Sequence, residues 1–543
     1  MCLFKLIRVL NTAGTLLALG LVLAGFTALA GSPANQAGTV NLGLNQFLQL
    51  VLHRNEELQA QMIETEVSHR KEKSTHGAFE PLLEASVQHV INQRTNDVQQ
   101  QAALLGEPSF SEQNNLYDSG VESLLPTGAK IRLGYSLSDF YNNASGSPFT
   151  LTTNSFMRQF VTFVGFTFSQ PLLKDGGFTP TLAELRLAAM DSEIAFQQYR
   201  HQLMLTLSRA ESAYWNLYFA QQQLRFFDQS VAVAGEVLDD TREKLLAGQG
   251  SELDVMESQS ELALRQTKRN EALQSYYDAV GSMQSLAGGA LFPWYTGANQ
   301  PTLNATDSPP ETNSAVSFFD AAEGALSLNP DYLIQLQKTK QEEVRVGVAK
   351  NQVLPQLDFK GAYGYNGLGF SPGSSWELAA QQQYPSWSVG LELILPMGGN
   401  IKARNLLHAQ ELGLQEAYMN LKNVQQEIGN HLATAMHKVS GWQQSTLSCQ
   451  TVVHYNETLL KTELERLKAG SVDGHKVLEV EEDLLDSRQE LANAQVQYAC
   501  SCLELQIASG TLLKERNMDV TRNQLKIQTD NFLAGVQKSN STF

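Results

Sequence analysis

The chain has 543 residues, 42% hydrophobic and only 17% charged, with 39 Lys and Arg against 56 Asp and Glu for a formal net charge of −17. That apolar content excludes a wholly disordered chain, and the length exceeds what a single core usually fills. The acidic balance argues against nucleic acid as a partner. At the N-terminus, Lys5 and Arg8 are followed by an uncharged stretch from Val9 to Ala30, apolar around Leu16 to Ala24 and ending Ala28-Leu29-Ala30. This pattern predicts a secretory signal peptide over 1–30, cleaved after Ala30, rather than a spanning anchor. No Cys stands directly after the apolar stretch, so a lipidated new N-terminus is not expected, and loss of the segment makes the exported chain more acidic. Past it, no apolar run approaches the ~20 residues of a membrane-spanning helix. If the chain crosses a membrane, it does so with strands.

A short helix before Pro81 precedes an interval of alternating residues. Leu83 to Ile91 alternates loosely and Leu116 to Leu124 more weakly. Lys130 to Ser138 sets Ile131, Leu133, Tyr135 and Leu137 against Lys130, Arg132, Gly134, Ser136 and Ser138. Phe160 to Ser169 sets Phe160, Val164, Phe166 and Phe168 against Gly165, Thr167 and Ser169. From about Thr179 to Ala247, apolar residues then recur at Leu203, Leu207, Ala210, Tyr214 and Leu217, and at Phe227, Val231, Ala234 and Leu238. Steps of four and three mark the seam of a helix packed as in a coiled coil. Gly248-Gln249-Gly250 ends it, and Ser251 followed by Asp254 reads as the N-cap of a return helix to about Leu286. A helix of ~65 residues rising ~1.5 Å each spans roughly 100 Å, more than a globular domain needs. Leu291 to Asn313 holds four prolines and reads as an irregular connector.

The second half repeats the plan. Asn329 and Pro355 stand 274 residues after Asn55 and Pro81. Gln356 to Tyr365 and Ser386 to Leu395 alternate, the latter with Trp387, Val389, Leu391, Leu393 and Leu395 on one face. Ile401 to Lys468 reads as one helix that turns at 470–474 and returns to about Ala508. EKLLAGQGSELDVMESQSEL at 243–262 matches ERLKAGSVDGHKVLEVEEDL at 465–484 at a shift of 222. The fall from 274 to 222 gives the first half 52 extra residues, between Pro81 and the helix near Pro180. They are expected to form a surface loop, a hairpin outside a barrel or extra barrel strands. Past Leu513 the periodicity fades, and Asp530 to Phe543 is expected to be loose. Cys449, Cys500 and Cys502 read as small core residues, Cys500 and Cys502 pointing to different sides of one helix.

Strands with one apolar, aromatic face and one small or charged face fit a wall between lipid and water, although a sheet half-buried against a helix has the same period. The helices flanking each strand region lie on one side of the membrane, so each half supplies an even number of strands: two in the second, two or four in the first. Four or six strands fall below the eight of the smallest membrane barrels, and lipid does not tolerate an open sheet edge. Several chains must therefore share one barrel; three with four strands each would give twelve.

Three sets of residues carry a family resemblance: Gln489-Glu490-Leu491-Ala492-Asn493-Ala494 with Tyr498 and Ser509-Gly510-Thr511-Leu512; Ala213-Tyr214-Trp215-Asn216-Leu217 leading to Ala247-Gly248; and Pro171 and Pro396, each soon followed by a glycine pair, Gly176-Gly177 and Gly398-Gly399. With these the chain resembles the TolC-like outer-membrane efflux protein family over nearly all of its length past the signal peptide. The resemblance implies an α+β membrane protein in which long α-helical hairpins form a tunnel joined to a transmembrane antiparallel β-barrel. It implies a homotrimer, a twelve-stranded barrel in outer-membrane lipid, and partners in a periplasmic adaptor and an inner-membrane pump or secretion ATPase. On this reading 31–290 and 316–513 are two internal structural repeats, 291–315 is the connector and 514–543 a C-terminal tail.

By the same resemblance, Lys476 and Glu479 fall on two positions that are aspartates in the best-known member and narrow its periplasmic aperture. Their first-half counterparts are Asp254 and Glu257. A latching arginine of the family falls at Val472 here, so that latch is not expected, and the charges also suit a plain solvated helix end. The hairpin tips, Gly248, Ser251 and Leu253 in the first and Gly470, Ser471 and Val472 in the second, are the implied adaptor contacts. No catalytic, metal-binding or cofactor-binding grouping stands out. The expected function is the outer-membrane duct of a tripartite efflux or type I secretion system; the alternative is a soluble periplasmic coiled-coil adaptor. Drugs, metals or proteins remain open as cargo.

Overall fold

The computed structural model describes residues 39–103, 108–143, 157–291, 302–310, 318–469, 471–472 and 474–540. The expected signal peptide, Gly470 and Phe543 lie outside the described residues. β1 (Val40–Leu42) leads into α1 (Leu44–Arg54) and α2 (Glu56–Thr75), and the chain then enters β2 (Leu82–Thr95). α3 (Val98–Ala103) precedes β3 (Ser109–Leu124), β4 (Lys130–Asn142) and β5 (Met157–Pro171). After α4 (Phe178–Thr181) comes α5 (Ala183–Leu246), with α6 (Glu252–Leu286) returning and β6 (Leu303–Ala305) following. The second half runs α7 (Phe318–Leu328), α8 (Pro330–Val353), β7 (Gln356–Gly369), α9 (Pro372–Ala380), β8 (Pro385–Ile394), α10 (Ile401–Lys468) and α11 (Gly474–Ala508). α12 (Leu512–Glu515) and α13 (Arg522–Asn540) end it. No helix of the described residues is long and apolar enough to cross a membrane.

All six alternating segments are strands, and they form one sheet in the order β2-β3-β4-β5-β7-β8 with every neighbouring pair antiparallel. The extra residues of the first half thus supply a hairpin that is part of the sheet. Among the described residues this sheet has six strands, where a twelve-stranded trimer needs four from each chain. The face bearing Leu133, Tyr363, Trp387 and Leu391 is not packed on the chain's own helices at its base: Leu83 is 78% exposed, Trp387 71% and Leu391 67%. On the opposite face, Arg132 pairs with Asp118 and Lys360 with Glu392. Along β4 the apolar face runs from Ile131 to Leu137, roughly 20 Å of strand. Beyond it lies a polar cross-strand network: Asn115 meets His89 Nδ1 at 2.7 Å and donates to Asp139 at 2.8 Å, and Arg158 pairs with Asp139 at 2.9 Å. There α9 lies on the same face, with Ser375 Oγ 2.8 Å from Thr162 Oγ1 and the Trp376 ring against Tyr135.

Away from the sheet, the seam positions of α5 are buried, with Leu203, Leu207, Ala210, Tyr214 and Leu217 in one continuous core with Phe47, Leu48, Met283 and Leu303. The connector is less irregular than its prolines suggest, because β6 pairs in parallel with β1. Buried side chains of α5 and α6 bond this short ribbon: Tyr214 Oη donates to Leu42 O at 3.0 Å, Tyr276 Oη donates to Leu303 O at 2.9 Å, and Gln221 Oε1 accepts from Ala305 N at 3.2 Å. The tail also departs from expectation, since α13 carries it as helix to Asn540. Leu525, Thr529 and Phe532, at steps of four and three, turn inward. Ion pairs from Arg516 to Glu211, Asp519 to Arg200 and Arg522 to Glu193 tie the region to α5. Cys502 is buried, Cys449 and Cys500 are half-buried, and all three are free thiols.

One joint occurs twice. Asn55 caps α2 by accepting from Leu58 N at 3.0 Å and donates its amide to Leu286 O at the end of α6, at 3.4 Å. Asn329 caps α8 by accepting from Asp331 N at 2.9 Å and donates to Ala508 O at the end of α11, at 3.5 Å. Gly288 then turns with φ 59° and Gly510 with φ 72°. A Cβ on Gly288 would come within 2.7 Å of Arg54 O, and one on Gly510 within 2.8 Å of Asn329 N, so close approach and left-handed backbone both require glycine. Asn55→Ala and Asn329→Ala should each cost about 1 kcal/mol for the lost cap. Gly288→Val and Gly510→Val should cost more, since the left-handed backbone alone penalises a side chain by about 1–2 kcal/mol. Thermal unfolding followed by circular dichroism in detergent measures both, and the asparagine variants should melt above the valine variants.

Candidate functional site at the hairpin tips

The two long hairpins, α5/α6 and α10/α11, close in matching ways. After α5, Gln249 N donates to Lys244 O at 2.8 Å; after α10, Ser471 N donates to Arg466 O at 3.0 Å. Both bonds satisfy last-turn carbonyls that a helix leaves without partners. Gly248 takes φ 75°, and Ser251 opens α6 with a capping box: its hydroxyl accepts from Asp254 N at 3.2 Å while its own N–H donates to Asp254 Oδ2 at 2.9 Å. The Asp254 carboxylate therefore closes the start of its own helix. Gly248, Ser251, Leu253 and Ser471 are exposed and Val472 is half-buried.

The four residues expected at the aperture divide between two places in this chain. Asp254 and Glu257 line a cleft of about 480 Å³ between the tips, together with Glu261 from α6 and Ser471, Val472 and His475 from the second tip. Lys476 and Glu479 are outside its wall, exposed on α11, and pair with each other at 2.7 Å. Bonding to Glu479 holds the Lys476 ammonium above its usual range, and the ammonium holds the Glu479 carboxyl below its own. Each charge thus offsets the other. Among the described residues, no group of His, Cys, Asp and Glu is placed to hold a metal ion.

What joins the hairpins just inside the tips is Arg265, which the sequence reading passed over. It is 4% exposed and Glu481 is 6% exposed. One guanidinium reaches three helices: Nε donates to Ser230 Oγ on α5 at 3.0 Å, and the second terminal nitrogen donates to Glu481 Oε2 at 2.8 Å and Leu478 O at 3.1 Å on α11. The first terminal nitrogen bonds Glu261 on its own helix at 2.7 Å. Lys268 and Glu482 continue the contact between the same helices at 3.2 Å. The available signal was a seam position. Ser258, Arg265 and Ala272 stand seven apart on the buried side of α6, and Glu481 lies between Leu478 and Leu485 on that of α11. A charge in a coiled-coil seam needs a buried partner.

The family model for outer membrane efflux proteins matches residues 132–289 and 322–511, most of the chain and both of its hairpins. The chain belongs to the outer membrane efflux protein family. It is 23% identical over 376 residues to outer membrane protein TolC of Vibrio cholerae, a match covering 66% of this chain and 78% of that one. It is 22% identical to the proteases secretion protein PrtF of Dickeya chrysanthemi, covering 78% of this chain and 88% of the relative. The solved CmeC outer membrane channel of Campylobacter jejuni has the same fold at a TM-score of 0.56 and 16% identity, covering 88% of this chain and 90% of that one.

This efflux protein is therefore an outer-membrane protein with its helical hairpins in the periplasm, and the soluble adaptor reading falls away. Arg265 holds its hairpins by a buried charge, so removing one partner strands the other. Arg265→Met leaves Glu481 buried and uncompensated and should cost about 3–5 kcal/mol, whereas adding Glu481→Leu should recover most of that loss. Guanidinium unfolding of the detergent-solubilised protein gives the stabilities, and limited proteolysis reports whether the tips open in the single variant alone.

Proposed function

We propose that three copies of this chain form a passive exit duct, with the sheets closing a barrel in the outer membrane and the hairpins enclosing a tunnel across the periplasm. On this reading 31–290 and 316–513 are two structural repeats, a view supported by the duplicated asparagine and glycine joint. The observation that carries the reading is a sheet with one exposed apolar face and two unpaired edge strands, β2 and β8. In hydrocarbon such edges must be paired, and only further chains can pair them. The helices agree: α10 exposes Leu412 and Met419, then Val452, Tyr455 and Leu459, at the seven-, three- and four-residue steps of a packing stripe left open among the described residues.

A duct spanning two compartments works with an inner-membrane energy source, so the partners are a periplasmic adaptor and a pump or secretion ATPase. The tips Gly248, Ser251, Leu253, Gly470, Ser471 and Val472 are the proposed adaptor contacts. The cargo is set by the pump. PrtF is named for protease secretion, so proteins are one class of cargo among the relatives. Blue native electrophoresis of detergent-extracted membranes should show a trimer that co-purifies with an adaptor, and a monomer released without detergent would overturn the reading.

Two substitutions separate the faces of β8. Leu391→Arg, on the apolar face, should cost about 2–4 kcal/mol if it sits near the bilayer midplane. Ser388→Arg, on the polar face, should leave the yield of outer-membrane protein on sucrose gradients near wild type. At the aperture, three Lys476–Glu479 pairs would make a ring of nearly cancelling charge. Lys476→Asp should then raise the cation preference of single channels in planar bilayers, and an unchanged reversal potential would remove these residues from the pore lining.

A further inference from the structure

The extra hairpin of the first half decides how wide the duct is. β2 pairs with β3 from Leu82↔Glu122 to Thr95↔Ser109, an uninterrupted register as long as any in the sheet. The two-faced pattern crosses all six strands in single rows of directly opposed residues. On the apolar face one row reads Leu83, Val121, Leu133, Phe166, Tyr363, Trp387. The next row on the other face reads Glu84, Gly120, Gly134, Gly165, Gly364, Ser386. A hairpin standing outside the membrane wall has no reason to extend a lipid-type row in step with four strands inside it. β2 and β8 are also the two strands exposed along nearly their whole length, and each presents one unpaired edge. β2 leaves the α2 side and β8 returns to the α10 side, so β8 of one copy meets β2 of the next antiparallel, the sense of every other pair in the sheet.

Resting on the trimer proposed above, we infer that β2 and β3 are barrel strands and that β8 of each copy pairs with β2 of its neighbour. Three copies then close an eighteen-stranded barrel rather than a twelve-stranded one. Barrel diameter grows roughly linearly with strand number, so the outer-membrane section is about half again as wide as twelve strands would make it, in the range where porins hold an open aqueous channel. The occupant of both free edges is a second copy of this chain.

Oxidative cross-linking tests the seam. In a chain whose native cysteines are replaced by serine, Ser388→Cys on β8 is combined with single cysteines along 82–94 of β2, or along 130–142 of β4, the strand that would meet β8 if the hairpin stood outside. The inference expects dimer and trimer bands from β8–β2 pairs and monomer from β8–β4 pairs. Trimer bands from β8–β4 pairs with silent β8–β2 pairs would overturn it while leaving the trimer intact. Monomer from every pair, with a monomer on blue native gels, would overturn the trimer itself. Because cysteine variants can fail to assemble, the barrel cross-section of the unmodified protein is also measured by electron cryo-microscopy; twelve strands around the ring would reject the inference whatever the cross-links show.

Discussion

A backbone N–H or C=O in hydrocarbon has no water to bond, and leaving it unpaired costs several kcal/mol. The sheet of this chain pairs β3, β4, β5 and β7 on both sides and leaves β2 and β8 with one bare edge each. Most of the architecture answers to that constraint. The strand number is even, so α2, α5, α8 and α10 all leave the sheet on the same side and continue as one bundle. The apolar face is broad and exposed, as lipid on that side requires, and in the proposed trimer the open apolar flank of α10 would meet the next copy.

Below the sheet the constraint changes from hydrogen bonding to helix length. α5 and α10 hold 64 and 68 residues, and helices this long keep a fixed register only if something specifies it. Apolar seams slide at modest cost, since one leucine is much like another. Registration comes from polar devices instead: the duplicated asparagine and glycine joint, the tyrosines and Gln221 that hold the β1/β6 ribbon, and the Arg265 contact near the tips. The last is the most specific, because a buried guanidinium tolerates few other surroundings. It comes from the first hairpin, and its carboxylate partner Glu481 comes from the second. The two tips are thus joined just inside their ends.

Legibility in the sequence followed how strongly each face is constrained. β4, β5, β7 and β8 alternate cleanly where lipid lies on one side and water on the other. β2 and β3 alternate less well because His89, Asn115 and Gln113 sit on the apolar side at their outer ends, where the cross-strand polar network replaces lipid contact. The β1/β6 ribbon was invisible because three residues have no period. α13 was missed because its hold on the body depends as much on ion pairs from Arg516, Asp519 and Arg522 as on apolar spacing. Asp254 was legible as a cap, and its carboxylate accepts from Ser251 N as that spacing predicts.

The sequence by itself determined the long hairpins, their turns, the caps at Asn55, Ser251 and Asn329, and the two faces of the strands. These are local properties: periodicity and capping depend on residues within a turn or two of one another. Only the tertiary structure decided that the extra residues of the first half add two strands to the sheet, that Asp254 and Glu257 share a cleft that Lys476 and Glu479 do not line, and that Arg265 meets Glu481 across 216 positions of chain. Such pairings depend on how one hairpin is registered against another, and no local pattern carries that register, because it is set by the sum of contacts along both helices.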